Sequence, residues 1–219
     1  MADGVEDWDR LGMRLAYDCA VYDQEGCFSL QEILVQGDPQ PLVESLSRWL
    51  GTYGEAIPRR MLTPDAAAHI QRARMDALAD GWQVRESEGS SDWTIVVTDG
   101  PRRIDDHPLC RFVYIHPIES PSDALPLMDR NLQTVGVEPW PPTPEVADLL
   151  TGGGADRLVQ PGRMTRFRPG FIHDGFHPLR RMVRWSTIER GLDYRYRFMS
   201  RSAEEDEDLI YRQHVRIPH

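Results

Sequence analysis

The chain alternates between two apolar periods, and this alternation limits its fold more than any other feature of the sequence. Apolar side chains recur every three or four positions over residues 5–22, as in an amphipathic helix, whereas residues 192–199 alternate between apolar and polar, as in a half-buried strand. Helices are predicted over 5–22, 40–53, 64–80 and 143–152, and strands over 31–36, 93–97, 111–118, 132–137, 157–160 and 192–199. The sequence therefore predicts an α/β fold with about four to six strands.

The first helix carries one apolar face, which we expect to enter the core. The predicted inward-facing residues are Trp8, Leu11, Leu15, Cys19 and Tyr22. Asp18 is predicted to lie largely off that face, with the other charged residues of the helix. Cys19 is therefore expected to be a core residue, because free cysteine often packs as a small hydrophobic side chain.

Composition excludes several classes of function. A net charge of −10, from 35 acidic and 25 basic residues, disfavours binding to a phosphate backbone. The chain has no lysine, which excludes lysine Schiff-base catalysis and a Walker-type phosphate site. Three cysteines without paired spacing indicate neither a zinc site nor a disulfide framework. We expect a cytoplasmic protein with no metal, no nucleic-acid partner and no membrane span.

Residues 22–29 are the segment in which the sequence indicates covalent chemistry. A polar turn with Gly26 as its flexible joint leads from a helix to a strand and carries Cys27. A thiol at such a junction can be exposed beside a free backbone N–H, and the thiolate of an exposed cysteine is a good nucleophile. The alternative is a buried structural cysteine, which is common. Cys110, at the start of the strand over 111–118, is predicted to be buried.

Residues 23–29 resemble the nucleophile segment of the long-chain acyl-CoA reductases of the bacterial bioluminescence (LuxC) type, which are distant relatives of aldehyde dehydrogenases. A second block resembles the closing segment of that family, and weaker similarity joins the two. The second block comprises 154–164, 173–175 and 179–185, and the weaker similarity comprises 92–97, 111–115 and 132–137.

This resemblance implies a site and a domain organisation. Cys27 would be the catalytic nucleophile. The substrate-site candidates are Gln24, Gly26, Ser29, His173 and Asp174; for His173 and Asp174 a purely structural turn is an equally open interpretation. Residues 1–190 would be the catalytic domain of an aldehyde dehydrogenase-like fold without the N-terminal Rossmann-like cofactor domain. Residues 191–219 would be a C-terminal strand and an acidic tail, with a role in oligomerisation.

The resemblance also implies the chemistry. Cys27 would take the acyl group from an acyl-CoA or acyl-carrier thioester, and NADPH would reduce the acyl-cysteine to an aldehyde. Only 26 residues precede Cys27 and no glycine-rich dinucleotide fingerprint is present, so we expect no cofactor-binding residues in this chain. The implied partners are a separate cofactor-domain chain or an acyl-protein synthetase, and an oligomer is expected.

Three functions stay open at this point. The first is the catalytic part of an acyl-CoA or acyl-carrier reductase. The second is a cofactor-free cysteine acyltransferase or thioesterase that uses Cys27 alone. The third is an inert remnant or a binding subunit. The sequence leaves the acyl chain length, the physiological carrier and the general base undetermined.

Overall fold

Helices and strands are mixed along the chain rather than separated into an all-helical and an all-strand part. The computed structural model describes residues 7–167, 172–184 and 186. The helices are α1 (Trp8–Ala20), α2 (Gln40–Ala56), α3 (Pro64–Ala79), α4 (Pro144–Gly152) and α5 (Pro178–Met182), with 3₁₀ helices at Val21–Gln24 and Pro121–Leu127. The strands are β1 (Glu32–Gln36), β2 (Gln83–Glu86), β3 (Thr94–Val97), β4 (Phe112–Ile118), β5 (Thr134–Gly136) and β6 (Arg157–Val159). The α/β class is confirmed, while the predicted strand over 192–199 and the acidic tail lie outside the described residues.

Four strands form the main sheet in the order β1-β4-β3-β2. β4 is parallel to both β1 and β3, with Tyr114 in register with Glu32 on one side and Val96 on the other. β2 pairs antiparallel to β3 at one edge. The strands β5 and β6 form a separate parallel pair. Parallel strands buried on both faces need helices on both sides, which is what the predicted α/β class requires.

Each face of the main sheet has its own apolar cluster. One cluster joins the sheet to α1 and α2; its members include Leu11, Leu15, Cys19, Ile33, Val35, Leu42, Leu46, Leu50, Ile95, Val113 and Ile115. The other joins the opposite face to α3; its buried members are Ile70, Ala73, Ala77, Val96, Phe112 and Tyr114. Successive β4 residues enter the two clusters alternately, since neighbouring side chains of a strand point to opposite faces.

The first helix differs from its prediction at its end. Asp7 caps α1 by accepting the N–H of Arg10, and the helix stops at Ala20. Tyr22 was predicted to face the core, and this prediction was wrong: the residue adopts φ 63° and is 60% exposed. Asp18, predicted off the apolar face, is fully buried. The prediction of Asp18 was wrong because the residue has buried polar partners elsewhere in the chain, described below.

Contact density divides the chain into two units, residues 1–169 and 170–219. The first unit contains both sheets and α1 to α4. In the second unit, an isolated bridge joins His173 to Phe176 and is followed by α5. The sequence places a functional boundary at residue 190, and that division stays a prediction. No helix in the described ranges is both long and apolar enough to cross a bilayer.

Candidate active site around Cys27

Cys27 lies in a tight turn that follows the 3₁₀ helix at the end of α1. The N–H of Ser29 donates to the carbonyl oxygen of Gly26 (2.9 Å), which closes the turn over Cys27 and Phe28. The Cys27 side chain is exposed. Across the described residues, neither its thiol nor its backbone N–H makes a hydrogen bond to another protein group. The turn therefore presents an exposed thiol beside a backbone N–H that has no described protein partner.

The other two cysteines lie in different surroundings. Cys19 is fully buried in the α1–α2 layer, as predicted, and this burial raises the pKa of its thiol. Cys110 was predicted to be buried, but it is partly exposed. Its partial burial also raises the pKa of its thiol. Because a thiol must ionise and be reached in order to react, both residues are poorer nucleophile candidates than an exposed cysteine.

Gly26 is needed for space rather than for flexibility. A Cβ at this position would lie 2.9 Å from the ring of Phe28 and 3.2 Å from Oγ of Ser29. Gly26 does not have positive φ; the left-handed residues of this segment are Tyr22, Asp23 and Gln24. The predicted flexible joint is thus corrected to a close contact at Gly26 and a left-handed backbone before it.

Two left-handed segments meet beside the Cys27 turn, and we call them together the left-handed clasp (residues 22–24 and 109–111). All six residues have φ between 50° and 65°, and none is glycine. Each such residue costs about 1–2 kcal/mol relative to a right-handed conformation. The N–H of Cys110 donates to the carbonyl oxygen of Asp23 (3.2 Å), which joins the two segments. A backbone held in this way requires strong compensating contacts.

Gln24 supplies one set of those contacts. Its Nε2 donates to the carbonyl oxygens of Leu30 (2.6 Å) and Phe112 (2.7 Å), and its Oε1 accepts the N–H of Phe112 (2.8 Å). The side chain is 1% exposed. The role of Gln24 at a substrate site stays a prediction; in the structure its amide is occupied by backbone groups and fastens the turn to β4.

An ion pair between Asp23 and Arg111 supplies the second set. Arg111 is 1% exposed; its Nε donates to Oδ1 of Asp23 (2.8 Å), and its Nη2 donates to the carbonyl oxygens of Ala20 (3.4 Å) and Ile57 (2.7 Å). The second carboxylate oxygen of Asp23 accepts the N–H of Arg60 (3.2 Å). One guanidinium therefore joins the ends of α1 and α2 to the clasp.

An aromatic group lies on the other side of the turn. The ring of Phe28 meets those of Tyr22 (5.8 Å between centroids) and Phe167 (4.8 Å), both edge-to-face. The guanidinium of Arg157 lies over the ring of Phe167, 4.7 Å from its centroid. Phe167 is 39% exposed, so this aromatic group forms an apolar surface next to Cys27.

Phe167 lies in the segment that Arg157 and Asp18 hold in place, and we call residues 160–167 the 160–167 loop. Arg157 donates to the carbonyl oxygens of Arg163 (2.9 Å), Met164 (2.9 Å) and Arg166 (3.0 Å). The buried carboxylate of Asp18 accepts the backbone N–H groups of Gly162 and Met164. Burial raises the pKa of Asp18 to about 6, against the opposing effect of these N–H groups and of nearby arginines.

The remaining substrate-site candidates have different positions. Ser29 is 7% exposed, and its Oγ makes no hydrogen bond within the described residues. His173 and Asp174 lie in the second unit, where Nδ1 of His173 is 3.0 Å from Oδ2 of Asp174. Their role at a substrate site stays a prediction.

Neither histidine near the main sheet is placed as a base for Cys27. Nδ1 of His116 is 2.9 Å from Oγ1 of Thr98, and its Nε2 is 3.1 Å from Oε2 of Glu32, with the ring fully buried. His107 accepts a backbone N–H at Nδ1, and its Nε2 is 3.2 Å from a backbone carbonyl. Both ring nitrogens of each residue therefore have protein partners of their own.

The described residues do not fit a dinucleotide at the strand–helix junction most similar to a cofactor turn. Between β1 and α2 this junction contains one glycine, Gly37, and Oδ1 of Asp38 accepts the N–H of Gln40 (3.0 Å). The carboxylate repels a pyrophosphate, and Pro39 and Pro41 have no N–H to donate. Among the residues that the structure describes, no group of His, Cys, Asp and Glu is suited to hold a metal ion.

Sequence reasoning missed the two charged residues on which the site depends most. Arg111 stands before an apolar strand, and nothing in its local pattern signals a buried ion pair. Asp18 did carry a signal, because it follows Leu11 and Leu15 at spacings of seven and three and so belongs to their helical stripe. An aspartate on an apolar stripe indicates a buried polar partner.

Comparison with known proteins identifies a family whose sequences match this chain. The family profile described as acyl-CoA reductase (LuxC) matches residues 1–185. The chain is 30% identical over 217 residues to a long-chain acyl-protein thioester reductase of Aliivibrio fischeri and over 217 residues to one of Vibrio harveyi. Each alignment covers 95% of this chain and 45% of the relative. The chain thus spans less than half the length of these relatives.

Solved structures give the fold. An NADP-dependent glyceraldehyde-3-phosphate dehydrogenase from Bacillus halodurans, complexed with NADP, has a TM-score of 0.53 at 16% identity and matches 74% of this chain and 39% of its own. An NAD-dependent benzaldehyde dehydrogenase from Corynebacterium glutamicum has a TM-score of 0.52 at 12% identity, with 69% and 36% covered. The described architecture therefore resembles part of the aldehyde dehydrogenase fold, as the sequence predicts.

Proposed function

The chain belongs to the acyl-CoA reductase (LuxC) family, and from this premise we propose that Cys27 is the acyl-accepting nucleophile of a thioester-reducing enzyme. The observation that carries the proposal is the exposure of this one thiol in a hydrogen-bonded turn, where the backbone N–H of Cys27 has no described protein partner. The related proteins are named as acyl-protein thioester reductases. A reductase-type function fits both this name and the fold.

The reaction assigned to this chain is transfer of an acyl group to sulfur. The Cys27 thiolate forms a bond from Sγ to the carbonyl carbon of a thioester, and the carbonyl electrons move onto oxygen. The backbone N–H of Cys27 donates to that oxygen, since it has no other described partner. Collapse of the adduct restores the carbonyl and breaks the bond to the carrier sulfur. The carrier thiolate then takes up, through solvent, the proton that Cys27 released.

The surroundings of the turn suit an acyl chain. Tyr22, Phe28 and Phe167 form an apolar surface that is partly exposed beside the thiol. Burial of hydrocarbon is worth about 0.8 kcal/mol per methylene, so such a surface favours long chains over short ones. We therefore propose a long-chain acyl thioester, carried by coenzyme A or by an acyl-carrier protein.

Reduction of the acyl-cysteine to an aldehyde requires a two-electron donor, which for this family is expected to be NADPH. The described strand–helix junction does not fit a dinucleotide, so we assign none of its residues to that step. We propose that the reductant is bound by another part of the enzyme or by a partner polypeptide. The chemistry of this chain then ends at the acyl-enzyme.

Acylation of the intact chain tests the proposal directly. After incubation with a long-chain acyl-CoA without nucleotide, peptide mapping by mass spectrometry should place the acyl group on Cys27. Cys27→Ser should abolish labelling, whereas Cys110→Ser, the matched control at the other accessible thiol, should retain it. In parallel, iodoacetamide should label Cys27 before Cys110, and Cys19 only after unfolding, because burial raises the pKa of both other thiols.

Two outcomes would contradict this function. Labelling that persists in Cys27→Ser would place the nucleophile elsewhere. Steady release of free fatty acid, with no accumulated acyl-enzyme, would instead support the thioesterase alternative. An acyl-enzyme that is stable without nucleotide agrees with a reductase, whose intermediate waits for hydride.

A further inference from the structure

We propose that Arg111 is a positioning residue for Cys27, and that it acts through the ion pair with Asp23 and the left-handed clasp. The inference deepens the proposed function, since it concerns how the same thiol is held. The described hydrogen bonds of Arg111 do not include Cys27, and the route that we propose from Arg111 to the thiol is the backbone of residues 22–29.

Burial of the Arg111 guanidinium contributes little to stability, which is the first reason to assign it a positioning role. A buried guanidinium is an inefficient way to stabilise a core, because desolvation offsets most of the attraction, and apolar residues often replace such pairs without loss of stability. Nη1 of Arg111 also lacks a hydrogen-bond partner within the described residues. A buried charge kept under these conditions is better explained by the geometry it imposes than by stability.

The placement of its three partners is the second argument. Arg111 binds the carbonyl oxygens of Ala20 and Ile57, at the ends of α1 and α2, and the carboxylate of Asp23 inside the clasp. The planar fork of a guanidinium can satisfy these directions at once. Arg111 thereby fixes residues 22–24 relative to the ends of α1 and α2, which pack on the same face of the main sheet.

The short path to the nucleophile is the third argument. Only Glu25 and Gly26 separate the clasp from Cys27, and the hydrogen bond from the N–H of Ser29 to the carbonyl oxygen of Gly26 closes the turn directly after them. Two residues leave little chain in which a shift of the clasp could be absorbed. A displacement of residues 22–24 should therefore move the thiol and its N–H together.

Gln24 also fixes the clasp, but its contacts cannot take over those of Arg111. Its amide ties the turn to Leu30 and Phe112, which belong to the sheet side of the site. Arg111 ties it to the helices instead. The two side chains thus fix the same backbone against different layers, and loss of either should leave one direction free.

The test compares Arg111→Lys with Arg74→Lys. Lysine keeps the buried positive charge but loses the fork. Arg74 is a matched control: it is 5% exposed, pairs with Glu86, and donates to a threonine and to the carbonyl oxygens of Ser90 and Trp93. It lies on α3, and none of its partners belongs to the clasp or to the Cys27 turn.

Hydrogen exchange gives the readout that needs no acyl chemistry. In Arg111→Lys, amides of residues 22–29 should exchange about tenfold faster than in the wild type, while those of β3 and β4 keep their protection. In Arg74→Lys, residues 22–29 should be unchanged. Equal protection of residues 22–29 in all three proteins would overturn the proposal.

The second measurement compares two reactions of Cys27, acylation and alkylation, which differ in how exactly the thiol must be oriented. Acylation needs an aligned thiol and N–H, so Arg111→Lys should lower its rate about a hundredfold. Alkylation of Cys27 by iodoacetamide needs mainly an accessible thiolate, so it should stay within about threefold of the wild type. A purely structural role would lower both rates together or expose Cys19 to the reagent, and either result would count against positioning.

Failure of the proposed function remains distinguishable. If wild-type protein accepts no acyl group at all, the role of Cys27 is wrong, and the exchange of residues 22–29 still decides whether Arg111 holds the turn.

Discussion

The left-handed clasp and the 160–167 loop both bear on the Cys27 turn, but they are held by different interactions. In the clasp, a buried ion pair and a buried amide fix a strained backbone. In the loop, Gly162 is the one described residue with positive φ, and Arg157 and Asp18 bind the carbonyl and N–H groups of the backbone. The clasp should therefore fail when a partner is removed, whereas the loop should respond to the charge state of one carboxyl.

Loss of the ion pair in the clasp should lower stability more than any other change proposed below. Asp23→Asn removes the counter-charge of Arg111, and an uncompensated buried charge of this kind lowers the free energy of unfolding by about 3–5 kcal/mol. Urea denaturation monitored by tryptophan fluorescence measures the change. Asp9→Asn is the control, because Asp9 is an exposed α1 carboxylate paired with Arg48 and should cost far less. A loss no greater than that of the control would mean that the clasp does not depend on its ion pair.

The second prediction concerns the pH response of the loop. The pKa of Asp18 is about 6 in the folded protein against an ordinary value of 3.8, so ionisation is harder in the folded state. Its contribution to stability is therefore fully present below pH 3.8 and is lost as pH rises through about 6. The two values correspond to a change of about 3 kcal/mol in the free energy of unfolding.

Asp18→Asn isolates this contribution, because asparagine does not titrate. Urea denaturation of both proteins between pH 4 and pH 7.5 should show wild-type stability falling relative to the variant across that interval, since other titrating groups cancel in the difference. A difference that stays flat, or that rises with pH, would show that the Gly162 and Met164 N–H groups outweigh burial at Asp18.

The smallest effect is expected where the loop touches the turn. Phe167→Leu removes the edge-to-face contact with Phe28 and the cation–π contact with Arg157, which together should cost about 1 kcal/mol. Phe167→Tyr keeps the ring and should restore most of that stability. If Phe167 also borders the acyl chain, Phe167→Leu should slow acylation by long chains more than by acetyl-CoA. Equal slowing for both would assign it to the turn alone.

Much of the fold was predictable from the spacing of apolar residues and from the residues that cap helices. The Thr63–Pro64 cap of α3, the Thr143–Pro144 cap of α4 and the apolar run of β4 all lie where the sequence places them. β2 was missed, because Val84 is its one apolar residue and the segment becomes a strand only by pairing with β3. Such edge strands carry little pattern of their own.

The exposure of Cys27 on a turn between a helix and a strand was predictable from the sequence, whereas the contacts around it were not. Its choice as the nucleophile came from the resemblance of residues 23–29 to the LuxC type and stays a prediction. The roles of Asp23, Gln24 and Arg111 could not, because their partners are up to 91 positions away in the sequence and no local period records a contact at that distance. Their side chains are polar and buried, which pattern rules treat as an exception.

The separation between the two segments of the clasp has a consequence for the order in which the protein folds. Asp23 and Gln24 find their partners 88 residues later in the chain, at the start of β4. Contacts so distant form late, because a large loop must close before they are made. During synthesis, where chains emerge from their N-terminal end, α1 can form early. The Cys27 turn must wait for residues 109–112, so until then the nascent chain carries Cys27 as an ordinary thiol without its final geometry.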